Sequence, residues 1–253
     1  MSNFKDQDKK VVLITGGSGE IGSSISKIFA DNNYNVVLTF NSNAKRANEV
    51  VKSLKKGEHY AYCAPTTDSG KVAELYEFVE EKYGRLDILV NNAGITTPVS
   101  HDDLDGLSDE WIDKIMQTNF RGSFAMVRAF TKLLMNSSNE TGLIVNISSI
   151  AGIFGIGSNV AYCASKAALD SMTRSLARVL APKIRVVSVS PGFVEGEYTA
   201  NIDPNFLRTQ KEHTPLGKFA MSDDVSRAVF STATQLTFST GNIITVDGGR
   251  LLK

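Results

Sequence analysis

The stretch VVLITGGSGEIGSSI, residues 11–25, passes from four apolar residues through a cluster of glycines into the spacing of an amphipathic helix. A strand that leads through a glycine turn into a helix presents free backbone N–H groups at the positive end of the helix dipole, where phosphates bind. Gly17, Gly19 and Gly22 also fit the pattern G-x-G-x-x-G, which is weak alone and gains weight in this context. The stretch therefore predicts a nucleotide-binding strand, turn and helix, with a plain tight turn as the alternative.

The same alternation of apolar runs and helical spacing continues to the end of the chain. The short runs are nearly continuous in apolar residues, as is typical of strands covered on both faces, and they lie at residues 11–14, 36–40, 60–63, 88–90, 143–147, 184–189 and 243–246. Between them, apolar residues recur at the three- and four-residue spacing of helices. We therefore expect an α/β fold: a single-domain, Rossmann-like, doubly wound parallel sheet of about seven strands with helices on both faces, spanning residues 1–253.

Composition narrows the choice of partners. Lys plus Arg and Asp plus Glu both number 27, so no overall field attracts nucleic acid or an anionic membrane. The start of the chain is polar and no apolar run approaches the ~20 residues of a spanning helix, so we expect a cytoplasmic protein without membrane segments. Neither the three histidines nor Cys63 and Cys163 have the spacing of metal ligands, so we expect no metal and two small, buried cysteines.

One segment, residues 193–220, is longer than the ~12–15 residues of an ordinary connection. Long segments of this kind serve as lids or binding loops. We therefore expect a substrate lid in which Glu195, Glu197 and Tyr198 help to shape the pocket. A surface insertion with a short helix in it is the alternative.

The glycine turn resembles that of the short-chain dehydrogenase/reductase family, whose single-domain members carry T-G-x-x-x-G-x-G there. Thr15, Gly16 and Gly22 match, and the family's middle glycine falls on Glu20. The turn also fits T-G-x-x-G-x-x-G, the spacing of longer, epimerase-like relatives, in which Gly19 provides the close backbone approach and leaves position 20 to a side chain. We expect Glu20 to point away from the phosphates, because the opposite orientation brings like charges together.

The resemblance is strongest in the second half of the chain. In AYCASKAAL, Tyr162 and Lys166 are spaced i, i+4 and so lie on one helical face. Ser149 precedes the tyrosine by 13 residues, the family's interval, and Asn119 in TNFRGSF matches the family's helix asparagine. Each residue alone has an ordinary explanation such as a cap or a turn. Together and in this order, Asn119, Ser149, Tyr162 and Lys166 are predicted to be the catalytic residues.

The expected chemistry explains these residue types. Reduction of a carbonyl by hydride leaves an alkoxide that must receive a proton, and a free tyrosine with a pKa near ~10 exchanges protons poorly at neutral pH. A lysine ammonium at ~4 Å attracts the phenolate by roughly 4 kcal/mol at an effective dielectric constant of ~20, or about three pKa units. The resemblance further implies that Ser149 binds the substrate oxygen, that Lys166 also holds the nicotinamide ribose, and that Asn119 anchors a water on the proton path.

Further motifs of the family complete a dinucleotide site. NNAG follows the fourth predicted strand, VSPGFV follows the sixth, and GNIITVDGG contains the seventh. The threonine usual two residues after Val194 is Gly196 here, so we expect one side-chain contact to be missing. The resemblance implies that the cofactor is bound by Gly16, Ser18, Gly19, Ile21, Gly22, Asn41, Ser42, Asn92, Ala93, Gly94, Tyr162, Lys166, Pro191, Gly192 and Val194.

The end of the second predicted strand bears on the choice of cofactor. Phe40, Asn41 and Ser42 offer no carboxylate to hold a ribose 2′-hydroxyl or to repel a 2′-phosphate, and Lys45 and Arg46 follow. This pattern favours NADP(H) over NAD(H). The basic residue that many NADP-using relatives carry in the glycine turn is absent, however, and the two cations are alternatively the solvated face of a helix.

The resemblance implies an oxidoreductase that uses NAD(P) and acts on a carbonyl or an alcohol. TPLGKFAMSDDV and VDGG are closest to 3-oxoacyl-(acyl-carrier-protein) reductases, so the substrate is expected to be an acyl thioester or a small molecule. The alternatives are an NAD-dependent sugar or alcohol dehydrogenase and a catalytically silent nucleotide sensor, which has no need of the four catalytic side chains. Two helices carry apolar stripes of the kind that pack against neighbouring subunits in this family, so a homotetramer or homodimer is predicted. Burial of the stripes inside one chain is the alternative. The stripes are Ile112, Ile115 and Met116, and Leu169, Met172, Leu176 and Leu180.

Overall fold

A seven-stranded parallel sheet is the centre of the computed structural model, which describes residues 9–55, 57–197 and 199–252. The start of the chain through Asp8, and Tyr198 in the expected lid, lie outside the described residues. The strand order is β3-β2-β1-β4-β5-β6-β7 and every neighbouring pair is parallel. The strands are β1 Val11–Ile14, β2 Asn35–Phe40, β3 Tyr60–Cys63, β4 Ile88–Asn91, β5 Gly142–Ile147, β6 Ile184–Pro191 and β7 Ile243–Val246.

Helices cover both faces of the sheet, and the predicted fold class is confirmed. They are α1 Glu20–Asp31, α2 Ala44–Ser53, α3 Ser69–Tyr83, α4 Asp109–Met116, α5 Ser123–Met135, α6 Ala151–Phe154, α7 Val160–Leu180, α8 Pro204–Glu212 and α9 Ser222–Thr234. Side chains alternate along each strand. Val11 and Leu13 therefore pack with α3, α5 and α7, whereas Val12 and Ile14 pack with α1 and α9.

The strand bounds follow the apolar runs closely. β1, β3 and β7 have the predicted bounds, and the other four strands extend the predicted runs by one or two residues. The extensions include buried polar residues, which an apolar pattern does not detect. Asn91, for example, donates from Nδ2 to Asn146 Oδ1 at 2.9 Å between β4 and β5, so its amide is paired inside the sheet.

The strand order sets where a ligand binds. β1 lies between β2 and β4, so the chain reverses its direction of winding there, and ligands of open α/β sheets bind at the carboxyl ends of the strands beside such a switch point. The glycine turn follows β1, and three further predicted segments follow β4, β5 and β6. The fold therefore gathers all of the predicted motif segments at one edge of the sheet.

The prediction for the cysteines holds for Cys163 and is wrong for Cys63. Cys163 is buried on α7, whereas Cys63 is exposed at the end of β3, the outermost strand. An edge strand has a neighbour on one side only, which leaves its last side chain at the rim of the sheet. There the Cys63 thiol lies 3.4 Å from the Asn41 carbonyl oxygen, to which it donates.

Most of the two apolar stripes is buried inside this chain. Ile112 remains 37% exposed. Five other residues of the stripes are buried or pack against the core: Ile115, Leu169, Met172, Leu176 and Leu180. This agrees with the alternative interpretation, and the oligomeric state stays a prediction. Within the described ranges, none of the helices combines the length and apolar character needed to cross a bilayer.

Candidate active site

The glycine turn after β1 is a tight backbone cradle. Gly16 has a positive φ of 61°, and the Gly19 N–H donates to the Gly16 carbonyl at 3.1 Å. A Cβ at Gly22 would lie 2.4 Å from the Gly16 carbonyl oxygen and 2.7 Å from the Gly17 Cα, so α1 approaches the turn as closely as a bare backbone allows. Gly19 is the N-cap of α1 and makes no side-chain cap, which leaves the first N–H groups of the helix for an anion. These features fit the pyrophosphate of a dinucleotide.

The segment after β4 supports the turn from the other side. The Thr15 hydroxyl oxygen accepts from the N–H groups of Asn92 and Ala93, both at 3.0 Å. The Asn92 side chain donates back to the carbonyls of Thr15 and Gly16, at 3.0 and 3.1 Å. The Asn92 amide therefore holds the two loops together, so any contribution of this segment to a ribose comes from its backbone and from Ala93 and Gly94.

Tyr162 and Lys166 lie on the same side of α7. Asn159 is the N-cap of this helix. Its side chain accepts from the Tyr162 N–H at 2.7 Å, so the helix begins at Val160. The Lys166 Nζ lies 5.6 Å from the centre of the Tyr162 ring and donates to the Ile147 carbonyl at 2.8 Å. A lysine over a phenol ring at the end of β5 is the arrangement that the i, i+4 spacing predicts.

Burial tunes the lysine. Lys166 is only 5% exposed, and removal of its ammonium from water lowers its pKa from 10.5 to about 8, with the nearby Asp170 carboxyl opposing this change. Burial in turn raises the pKa of Asp170, while the hydroxyls of Ser148 and Ser188 act in the opposite direction. Lys166 is therefore still protonated at neutral pH but can release its proton within about one unit above it.

Asn119 lies in a π-helical turn, Gln117–Gly122, that joins α4 to α5 without a break. Its amide is 1% exposed and fully used: Oδ1 accepts from the Ile95 N–H at 2.8 Å, and Nδ2 donates to the Ile95 carbonyl and to Ser165 Oγ, both at 3.0 Å. A Cβ at Gly94 would lie 3.4 Å from Asn119 Oδ1 and 3.5 Å from Lys166 Nζ. The asparagine and the lysine thus converge on the backbone of Gly94.

Ser149 lies just beyond β5, two residues after the carbonyl that Lys166 contacts. Its hydroxyl accepts at 3.1 Å from the N–H of Ala151, the first residue of the short helix α6. This helix packs against α7 so closely that a Cβ at Gly152 would lie 2.7 Å from the Ala167 nitrogen. The contact fixes the serine loop against the helix that carries Tyr162 and Lys166.

The segment after β6 forms the entry to the expected lid. The Gly192 N–H donates to the Val246 carbonyl at 3.0 Å, and the Pro191 carbonyl accepts from the Ile150 N–H at 3.0 Å, so this turn is fixed against β7 and the serine loop. Val194 forms a parallel bridge with Ala220, which closes the base of the segment. Between these ends lie a 3₁₀ turn, Thr199–Asn201, and α8, so the segment carries helices and its role as a lid stays a prediction.

The end of β2 holds a contact that the local sequence does not indicate. Asn41 and Ser42 are exposed, and Asn43 caps α2 by accepting from the Arg46 N–H at 2.9 Å. The Arg46 guanidinium makes two contacts of 2.9 Å with the carboxylate of Glu197, which comes from the lid segment. The hydrogen bond to Glu197 raises the pKa of Arg46, and Arg46 in turn lowers the pKa of Glu197. Only folding brings this carboxylate to Arg46.

Glu20 points toward the same segment. Its Oε2 accepts from the Glu197 N–H at 3.1 Å, so the carboxylate turns from the start of α1 toward the lid backbone. The hydroxyl of Ser18 and the side chain of Ile21 remain beside it in the turn, both partly buried. The orientation relative to bound phosphates stays a prediction. Glu195, which is expected to help shape the pocket, accepts from Lys211 Nζ at 2.7 Å, and its part in the pocket stays a prediction.

Comparison with known proteins reveals similarity over nearly the whole chain. The family model described as short chain dehydrogenase matches residues 10–206. The 3-oxoacyl-(acyl-carrier-protein) reductase FabG of Thermotoga maritima is 33% identical over 247 residues, which cover 96% of this chain and 98% of that protein. The enzyme of the same name from Staphylococcus aureus is 33% identical over 249 residues, or 95% and 97% of the two chains. A solved short-chain dehydrogenase/reductase named glucose/ribitol dehydrogenase, from Brucella melitensis, superimposes with a TM-score of 0.88 at 28% identity, covering 95% of this chain and 96% of that one.

Proposed function

Because this chain belongs to the short-chain dehydrogenase/reductase family and is an NAD(P)-dependent oxidoreductase, we propose that it transfers a hydride between NADP(H) and a carbonyl or alcohol, with a 3-oxoacyl thioester as substrate. The observation that supports this most is the Lys166 ammonium 5.6 Å from the Tyr162 ring, at the point where Asn119 also reaches Gly94. A dinucleotide fits the cradle of the glycine turn. When it is bound, its nicotinamide ring supplies the hydride for reduction or accepts it in the reverse direction.

Tyr162 is the proton donor in this proposal. Reduction places negative charge on the substrate oxygen, and the phenol gives that oxygen its proton. The Lys166 ammonium beside the ring stabilises the phenolate that remains, through the attraction of opposite charges in a site largely removed from water. Lys166 must be protonated for this, and its pKa of about 8 keeps it so at neutral pH.

Ser149 and Asn119 assist the same step. The Ser149 hydroxyl donates to the substrate oxygen as charge develops, while its oxygen still accepts from the Ala151 N–H. Asn119 keeps the carbonyl and N–H of Ile95 and the hydroxyl of Ser165 in place beside Lys166. It thereby holds open a polar path by which the lysine recovers its proton.

The preference for NADP(H) is argued from charge at the end of β2. The described residues there offer Asn41 and Ser42 as hydrogen-bonding groups and the guanidinium of Arg46 as a cation, which together suit a 2′-phosphate. Dinucleotide affinity further depends on the backbone of the glycine turn, of residues 92–94 and of residues 191–194.

The substrate class is inferred from the relatives. Two of them are named 3-oxoacyl-(acyl-carrier-protein) reductases and align with this chain almost end to end, so a 3-oxoacyl thioester is the first candidate. The structural relative named glucose/ribitol dehydrogenase favours a sugar or small alcohol as the second. We also propose a homodimer or homotetramer in the cytoplasm, which sedimentation of the purified protein and fractionation of cells would test.

The proposal is tested by kinetics of the wild type and of Tyr162→Phe. We expect the wild type to oxidise NADPH faster than NADH with a β-keto thioester, and the variant to lose at least ~100-fold in kcat/KM because its proton donor is gone. Tyr76→Phe is the matched control: it removes the hydroxyl that Tyr76 on α3 donates to Glu80, keeps the ring that packs against Phe130, and should retain full activity. A panel of thioesters, diketones and sugars identifies the substrate class. Comparable turnover by Tyr162→Phe would overturn the catalytic assignment.

A further inference from the structure

An ion pair links the lid segment to the cofactor side of the sheet. Arg46 on the first turn of α2 and Glu197 after β6 are 151 residues apart in sequence, and the guanidinium and carboxylate face each other in a two-fold contact at 2.9 Å. Their side chains are 38% and 73% exposed. The pair is therefore open to water and to ligands, and its bond is one that a stronger anion can replace.

Two departures from the family's pattern hold Glu197 there. Glu20 stands where the resemblance has a glycine, and Gly196 stands where it has a threonine. A Cβ at position 196 would lie 1.7 to 2.0 Å from the Glu20 carboxylate, so that carboxylate fills the space that a side chain at 196 would need. From this position Glu20 accepts from the Glu197 N–H at 3.1 Å. Because position 196 is a glycine, the Glu20 side chain has room to reach the Glu197 N–H and hold it in place.

The position of Arg46 makes this contact relevant to cofactor choice. Arg46 follows β2, the strand next to β1, and the end of this strand is where a dinucleotide site distinguishes a ribose 2′-hydroxyl from a 2′-phosphate. A carboxylate at that place opposes a 2′-phosphate. Residues 40–46, from the end of β2 to Arg46, include no carboxylate, and Glu197 supplies one through the fold.

We propose that Glu197 is a specificity-determining residue that competes with the 2′-phosphate of NADP(H) for the guanidinium of Arg46. This inference rests on the proposed use of Arg46 in binding that phosphate. On binding, the phosphate replaces the carboxylate, Arg46 exchanges one anion for another, and Glu197 moves into water. Glu197 therefore lowers the affinity for NADPH and leaves the affinity for NADH nearly unchanged. The preference for NADPH over NADH is smaller as a result.

The test is the ratio of two dissociation constants, Kd(NADH)/Kd(NADPH), measured by the change in nicotinamide fluorescence on binding, without turnover. In Glu197→Gln we expect this ratio to rise two- to fivefold, about 0.4 to 1 kcal/mol at 1.4 kcal/mol per tenfold. Any effect of the substitution on the lid itself acts on both cofactors and cancels in the ratio. Glu80→Gln is the matched control: it removes one charge from an exposed carboxylate that pairs with Lys132, and it should leave the ratio unchanged.

Two further variants separate the possible outcomes. Arg46→Gln should lower the ratio at least tenfold, and in the double variant Glu197→Gln should have no further effect, because its partner is gone. A ratio that stays the same or falls in Glu197→Gln would overturn the inference. A wild type whose ratio is near one would refute the NADP(H) preference itself, whereas hydride transfer is judged separately by the turnover of Tyr162→Phe.

Discussion

Replacement of Lys166 by methionine tests the central electrostatic argument. Methionine keeps most of the side-chain volume and removes the charge. If the two charges are separated by the 5.6 Å between Lys166 Nζ and the centre of the Tyr162 ring, an effective dielectric constant of ~20 gives an attraction of about 3 kcal/mol between ammonium and phenolate. Loss of this attraction raises the pKa of the Tyr162 phenol by about two units. We therefore expect kcat/KM for carbonyl reduction to fall about 100-fold at pH 7.

The pH dependence distinguishes this mechanism from simple damage to the site. Burial lowers the pKa of Lys166 to about 8, so the ammonium is lost as the pH rises through that value. The wild type should then lose kcat/KM above about pH 8, and Lys166→Met should lack this descending limb. Initial rates of NADPH oxidation between pH 6 and 10 measure both features. Activity within threefold of the wild type, with the same limb, would refute the reasoning.

Stability provides the control for folding. The pKa of Lys166 is 10.5 unfolded and about 8 folded, so at pH 7 the buried charge costs the wild type roughly 3 kcal/mol. Lys166→Met removes this cost, and it also removes the hydrogen bond to the Ile147 carbonyl. Because the cost removed is larger than the net contribution of one hydrogen bond, the melting temperature of the variant at pH 7 should not fall. Since the folded pKa is the lower one, the cost disappears as the pH rises from about 8 toward 10.5, and the wild type should gain stability relative to Lys166→Met in that range.

Three other substitutions or labels test further parts of the site. Asn119→Ala leaves buried partners without their hydrogen bonds and should lower the free energy of unfolding by about 1 to 3 kcal/mol as well as kcat, which chemical denaturation and kinetics measure; unchanged stability would contradict the buried network. Gly22→Ala forces a Cβ to 2.4 Å from a carbonyl oxygen in the glycine turn and should weaken NADPH binding at least tenfold in a fluorescence titration, whereas an unaltered Kd would argue against the cradle. A thiol reagent should react rapidly with the exposed Cys63 and slowly with Cys163, whose burial also raises its pKa; peptide mapping after brief labelling identifies the faster site.

The fold was predictable because its main signal is local. Seven apolar runs alternate with helical spacing, and the five inner strands of the sheet are buried on both faces almost throughout, so the strands are visible without knowledge of their neighbours. Strand ends were less predictable because polar residues such as Asn91 are paired inside the sheet. The exposure of Cys63 depends on β3 being an edge strand, which the apolar pattern of the strand itself does not reveal.

The arrangement of two of the proposed catalytic residues was predictable for a related reason. Tyr162 and Lys166 are one turn apart on a single helix, so their common face follows from helical geometry alone. Asn119 and Ser149 come from other elements, and only the resemblance connects them to this helix before the fold is known. The hydrogen bonds of Asn119 to Ile95 and Ser165 depend on the π turn, which the sequence does not indicate.

The least predictable part of the site is the cluster around Glu20, because a motif considers each position by itself. Compared with the family's motif position by position, Glu20 replaces a glycine and Gly196 replaces a threonine, as if these were two unrelated departures. In the structure the two positions are in contact, and the Glu20 carboxylate fills the space that a side chain at position 196 would occupy. Reversal of one position alone should then be worse than reversal of both: Gly196→Thr alone must displace the Glu20 carboxylate, whereas the same change combined with Glu20→Gly has the room it needs. If cofactor affinity falls equally in the single and double variants, the two departures are independent and the shared volume is of no consequence.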